Sequence, residues 1–210
     1  MEKYINRRQI CKYQNAKALL EFNDKLQMAD VEKAGNLHSQ FSKINVIAKD
    51  YSQGTGDKAV DVALNIDPET MKYIANEILT NNTSFNFQEQ KILKHKTNGE
   101  GNSFTSRIDI KFNPQMRLPW NLVLEFGWGE IENTEIGGTM LKKGTYKAKG
   151  RVKLFLSDME AKKLMLTVND YIRAWEVSAI RTLLPLRDQA EKEERAARLE
   201  KGEQQQFSIY

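Results

Sequence analysis

The chain has one cysteine, Cys11, and two histidines, His38 and His95, among 210 residues. An intramolecular disulfide is thereby excluded, and a Cys/His zinc site lacks its ligands. Proline is scarce, with four residues, and no run approaches the roughly 18 apolar residues of a membrane span. The start, Met1 to Arg8, carries charges with no apolar stretch behind them and does not read as a secretory signal. These absences predict a cytoplasmic protein without membrane association. Also missing are a P-loop, a G-x-G-x-x-G turn, a G-x-S-x-G elbow and an H-E-x-x-H pair. Neither catalysis nor a cofactor is expected. Asp109-x-Lys111 is similar to a fragment of a metal-dependent nuclease core, but such a site needs a second carboxylate, and the sequence places neither Asp61 nor Glu125 beside it.

What is present is an ordinary globular composition, 40% hydrophobic and 29% charged, with a formal net charge of +4. That total permits an acidic partner without requiring one, so the distribution of charge decides. The most informative stretch is 144 to 180. From Tyr146 to Leu156 the even positions are apolar or small, while Lys147, Lys149, Arg151 and Lys153 take the odd ones. Period two predicts a half-buried strand whose four cations share one face. Ser157 and Glu160 then form a capping box, and Ala161, Leu164, Met165, Val168, Tyr171, Ile172, Trp175 and Ala179 make a helical apolar stripe. The helix can cover the apolar face of the strand.

Residues 44 to 51 and 59 to 66 read as a hairpin, and Asp67-Pro68 opens a helix that Asn81-Asn82 closes. Strands follow at 85 to 96, 104 to 112 and 122 to 128. Residues 1 to 40 are ambiguous: Ile10, Tyr13, Leu20 and Leu26 fit one helix, and residues 17 to 22 fit a strand ended by a turn at Asn23-Asp24. After Pro185 the chain predicts a separate charge-rich helix, with a loose tail from Gly202 to Tyr210. His38 and His95 have no partner pattern and read as surface residues.

A shift of 90 residues sets the two strand-to-helix units on one another. Val62, Leu64 and Ile66 meet Val152, Leu154 and Leu156; Ala18, Leu20 and Phe22 meet Ile108, Ile110 and Phe112. This reads as an internal duplication and favours the strand at 17 to 22. The expected fold is α+β, two antiparallel sheet-plus-helix units of ββββα type: 1–82, 83–184, then a charged helix and tail at 185–210.

Arg107, Asp109 and Lys111 alternate against Ile108 and Ile110. In one sheet with the 144 to 156 strand, Arg107, Lys111, Lys147, Lys149, Arg151 and Lys153 share a face, with Lys94 and Lys96 at its edge. That surface suits phosphate, and Trp120, Phe155 and Trp128 near it suit stacking on unpaired bases. Trp128 follows apolar parity and reads as core. Lysines on a strand face also serve solubility and edge protection, and the same surface suits a protein-interaction or inhibitor module of a mobile genetic element.

Four antiparallel strands and a helix, twice over, with a basic face at Lys147 to Lys153, resemble the Whirly family and its single-repeat relatives, the positive cofactor four type coactivators. The resemblance rests on Val60 to Leu79 and Val152 to Trp175 and spans roughly residues 15 to 180. Plant Whirly proteins carry a K-G-K-A-A-L motif near the first strand; here Tyr13 to Leu20 keeps only a lysine before Ala-Leu. The resemblance implies sequence-tolerant binding of single-stranded DNA, with RNA open to the same contacts, and self-association through the 158–180 helix.

Overall fold

The computed structural model of the chain describes residues 6–32, 36–135 and 137–207. Met1 to Ile5, part of the segment read for a leader, and residues 208–210 of the expected tail lie outside the described residues. The first sheet is built from β1 (Gln9–Gln14), β2 (Ala18–Lys25), β3 (Lys43–Asp50) and β4 (Val60–Ile66), followed by helix α1 (Pro68–Leu79). The second uses β5 (Asn86–Thr97), β6 (Ser103–Phe112), β7 (Trp120–Gly129) and β10 (Lys147–Leu156), followed by α2 (Asp158–Phe207). A small hairpin of β8 (Ile131–Asn133) and β9 (Thr139–Leu141) is inserted before β10. Both large sheets are antiparallel, in the orders β1-β2-β3-β4 and β10-β7-β6-β5. The fold class is α+β, as composition and periodicity predict.

One offset does not carry the first sheet onto the second. Leu64 and Leu154, 90 positions apart, are paired with Val46 and Leu122, and those with Phe22 and Ile110, which stand 88 apart. The shared feature is the strand order with the apolar parity. A two-residue difference leaves the same face buried, which is why the sequence match at 90 looks convincing. No turn interrupts Asn23-Asp24; β2 runs on to Lys25, held by Asn23 opposite Asn45 and Asp24 opposite Ile44.

Packing divides the chain into two compact units. One comprises the chain up to Lys25 with Lys43–Asp170; the other comprises Leu26–Ser42 with the chain from Tyr171. The boundary expected at 82/83 falls inside the first of these, because β4 lies against β10, β7 and β6. Its core joins Leu20, Val46, Val62 and Leu64 to Ile108, Leu124, Val152 and Leu154, all at most 3% exposed. The helix after β10 does not serve its own strand alone: Cys11 Sγ of β1 lies 3.8 Å from the Leu164 carbonyl. Burial pushes the Cys11 thiol up to about 12, which favours its protonated form at neutral pH.

The predicted capping box closes α2 at its start: the Ser157 N–H donates to Glu160 Oε2 at 2.8 Å, and the Glu160 N–H to Ser157 Oγ at 3.2 Å. α2 then runs through Pro185 as one helix. Proline removes one i to i−4 bond, but Arg181, whose carbonyl loses that partner, is exposed and can be served by water. Beyond it the pairs Glu191–Arg195 and Glu194–Arg198 stand at 4.0 and 3.9 Å on solvated turns. Helix continues through Gly202 to Phe207, where a loose tail was expected. None of the described helices is long and apolar enough to cross a membrane.

Asp67 sits at the N-cap of α1 but makes no side-chain cap bond. Its carboxylate instead accepts from Lys43 of β3 at 2.6 Å and from Lys91 of β5 at 2.9 Å, linking the two sheets. Partial burial alone would raise its pKa; the two ammonium groups outweigh this and hold it below the usual carboxylate range. The bridge therefore contributes stability above the unfolded value of about 3.9 and loses it as pH falls through the lower folded value. Asp67→Asn is expected to cost about 1 kcal/mol at pH 7 in urea unfolding, and the difference from the parent is expected to vanish in strong acid. An equal difference at both pH values would refute the bridge.

Candidate nucleic-acid interface

The second sheet carries its cations on strands whose apolar residues face the core, so register decides which side each occupies. Arg107 of β6 lies opposite Glu125 of β7, which lies opposite Arg151 of β10. The next row on that outer face is Gln88, Asp109, Val123 and Lys153, and the one beyond is Asn86, Lys111, Asn121 and Phe155. Arg107, Lys111, Arg151 and Lys153 thus share a face, as expected, with Phe155 half-buried among them and Lys153 Nζ 4.7 Å from its ring centre.

That face is less basic than the sequence suggests. Glu125 stands between Arg107 and Arg151, at 3.7 and 3.8 Å, and Lys111 contacts Asp109 at 3.1 Å. The Arg107 guanidinium lies 3.7 Å from the ring centre of Tyr146. Burial and then the negative charge of Glu125 push the Tyr146 phenol up to about 12, while Arg107 opposes them. Asp109 and Glu125 share the face that a nuclease reading needs. Both are engaged with cations, and among the described residues no three acidic, histidine or cysteine side chains gather to hold a metal ion. The corresponding face of the first sheet is organised differently: Asn45 donates to Asn65 at 2.9 Å, and Lys49 pairs with Asp61 at 2.6 Å.

Lys147 does not belong to the Arg151 face. β10 carries a bulge between Ala148 and Gly150, opposite Gly127, and Lys149 is the extra residue. Past it the parity inverts, and Lys147 lies opposite Trp128, on the face that bears Leu124 and Phe126. A strict period of two in the sequence cannot reveal this, because the inserted residue is itself a lysine. Trp120 is also misplaced by sequence reasoning. It is fully buried, with its indole N–H donating to Asp158 at 3.2 Å and its ring packed against Phe112 and Phe85. It is a core residue and offers no stacking surface.

A more accessible group of aromatic side chains lies elsewhere on the sheet. Where the core-side face of the sheet runs past its apolar core, Phe104, Phe126 and Trp128 are half-buried, with Phe104 in contact with each of the other two. The Phe104 ring centre is 5.7 Å from Phe126, nearly parallel, and 5.3 Å from Trp128, edge-on. Lys96 Nζ sits 4.0 Å from the Phe104 ring centre, and Lys147, opposite Trp128 on β10, and Lys94, on β5, are exposed on the two edge strands. Gly150 makes room for this arrangement: a Cβ there would stand 2.3 Å from Phe126 Cε1. Phe104 and Phe126 are legible in the sequence only as strand residues, and Trp128 as a stacking aromatic whose parity favours the core. Their flank of cations comes from β5 and from the bulge.

The second compact unit holds a separate polar cluster. His38 stacks on Trp175 at 4.8 Å, with Nε2 3.0 Å from Glu176 Oε1 and Nδ1 2.9 Å from Ser42 Oγ. Its side chain is 8% exposed, so His38 is no surface residue; its partner on α2 lies 138 positions away, beyond any local pattern. His95 is exposed, as expected. Compared with known proteins, the chain matches no family model, no curated protein and no solved structure.

Proposed function

We propose that the chain binds single-stranded nucleic acid, DNA in the first place, by stacking unpaired bases at the open end of the second sheet while Lys and Arg contact phosphates. The observation that carries this reading is the half-buried trio Phe104, Phe126 and Trp128 with a lysine over one ring and Lys147 alongside. Stacking platforms of this kind tolerate sequence because every base has a π-face, and they favour single strands because duplex bases are already stacked. Lys96 and Lys147 adjoin the trio, Lys94 and Lys149 lie on the same two strands, and Arg107, Lys111, Arg151 and Lys153 extend the cationic surface to the outer face. The proposal includes no catalysis, a cytoplasmic setting, two units of common descent, and self-association through the 158–180 helix, which light scattering tests as a mass above that of the monomer.

Fluorescence anisotropy with a labelled mixed-sequence single strand and its duplex, at low and moderate salt, tests the reading. The single strand is expected to bind tighter, with an affinity that falls steeply as salt rises. Arg151→Ala and Lys153→Ala are each expected to weaken binding and to reduce the salt slope by about one. Unchanged slopes in both variants would remove the outer face from the interface.

A second reading, a protein-interaction or inhibitor module of a mobile genetic element, draws on the exposed Val177, Ile180 and Leu184 of α2. These are 52, 43 and 51% exposed at i, i+3 and i+7 spacing, a stripe suited to a partner helix. A chain that binds neither oligonucleotide at low salt belongs to this second reading.

A further inference from the structure

β5 and β6 pair residue for residue from Asn86 opposite Lys111 to Leu93 opposite Phe104, and resume with Thr97 opposite Ser103. Ser103 and Phe104 are neighbours, so Lys94, His95 and Lys96 are extra residues with no counterpart on β6. All three are exposed, on an edge strand of the sheet. Leu93 stands opposite Phe104 on the aromatic side, so an uninterrupted strand would put both Lys94 and Lys96 on the outer face. The excursion re-aims one of them: Lys96 Nζ lies 4.0 Å from the centre of the Phe104 ring. Leu93, Phe104, Trp128 and Lys147 form one row across the four strands, and Lys96 stands over one ring of that row.

Without these residues Leu93 and Thr97 would be adjacent, opposite Phe104 and Ser103, and the antiparallel ladder would run on unbroken. The pairing of the sheet therefore does not require the excursion. Protection of an edge against other chains accounts for lysines and an interruption on β5. It does not account for an ammonium seated on an aromatic ring of the sheet face, since charge anywhere along the edge would serve. That ring is also where the single-strand reading places a base. An exposed ammonium is held only weakly by an aromatic face, and a stacked base is held more strongly. A base arriving on Phe104 thus displaces the ammonium and releases it beside the backbone of the same strand.

We infer that Lys94, His95 and Lys96 form a clamp for the nucleic-acid backbone: Lys96 rests on Phe104 in the free chain, a base takes that ring, and Lys96 and Lys94 then hold the adjoining phosphates. The inference rests on the single-strand reading above and assigns the phosphate contact beside the aromatic trio to one short segment. Deletion of residues 94–96 from the full chain, with anisotropy on labelled oligothymidine at several salt concentrations, tests it. The deletion is expected to keep the melting temperature of the parent, to weaken binding about tenfold and to reduce the salt slope by about 1.4, the share of two cations on a single strand. Lys94→Ala combined with Lys96→Ala leaves the backbone untouched and is expected to show the same losses, which keeps the test open should the deletion fail to fold. Nuclear magnetic resonance reads the exchange directly. The Lys96 Hε signals are expected upfield in the free chain, within the ring current of Phe104, and at their ordinary position once oligothymidine is bound. Parent-like affinity and slope in the double variant overturn the clamp and leave the single-strand reading standing. Lys96 signals that stay upfield in the complex overturn it as well. A deletion variant that gains mass in light scattering, with the double variant binding like the parent, assigns the segment to edge protection instead. Absence of binding by the parent chain at low salt overturns the single-strand reading and the clamp with it.

Discussion

Trp128→Ala is expected to lower the affinity for a single strand on the order of 30-fold while leaving the fold intact, and Trp128→Phe to restore most of it. The magnitude follows from the ~1–3 kcal/mol that a stacked base contributes on an aromatic ring. Trp128 is half-buried at the open end of the sheet, where its ring meets Phe104 edge-on, so truncation removes contact surface without hollowing the inter-sheet core. Phe104→Ala is expected to act in the same direction, and it also releases the ammonium of Lys96 from its ring. Trp120 supplies the contrast. Its complete burial and its bond to Asp158 make Trp120→Ala a stability lesion of about 3–5 kcal/mol, with affinity changing only through unfolding. Thermal unfolding beside anisotropy separates the two. Should Trp128→Ala bind as tightly as the parent at an unchanged melting temperature, the platform is not where bases stack.

The contrast between the two tryptophans marks how far the sequence could be read. The parity of Leu122, Leu124 and Phe126 assigned Trp128 to the core side correctly, but parity fixes a face and says nothing of where along the strand the core ends. Trp120 stood next to a proline and read as loop, although β7 begins there and carries it inward. The hairpin of β3 and β4, the Ser157–Glu160 box and the cationic alternation of β6 were legible because each rests on neighbours within a few positions. The position of Glu125 between two arginines, the Asp67 bridge from β3 to β5 and the stack of His38 on Trp175 were not, because their partners come from strands or helices far along the chain. Pro185 misled in the opposite sense: it signals a helix end, and an exposed turn tolerated it.

The sharpest test of the local geometry is Gly127→Ala, expected to destabilise the fold by about 3 kcal/mol in urea unfolding. Gly127 lies opposite the bulge of β10, and a Cβ there would meet the Lys147 carbonyl oxygen at 2.2 Å and Ala148 Cα at 2.9 Å. Both obstacles are backbone, so no side-chain rotation can relieve the clash; β10 must move away or the bulge must be expelled. Gly99→Ala is the control, since no atom lies within 4 Å of its added Cβ, and it is expected to change stability by no more than about 0.5 kcal/mol. Expelling the bulge would return Lys147 to the parity of Arg151 and Lys153 and strip the aromatic trio of that cation. Gly127→Ala should then weaken single-strand binding under conditions where the chain is still folded, beyond what Gly99→Ala does. If Gly127→Ala costs no more than its control, β10 pairs without a bulge. Lys147 would then lie with the outer-face cations, as the uninterrupted alternation of the sequence predicts.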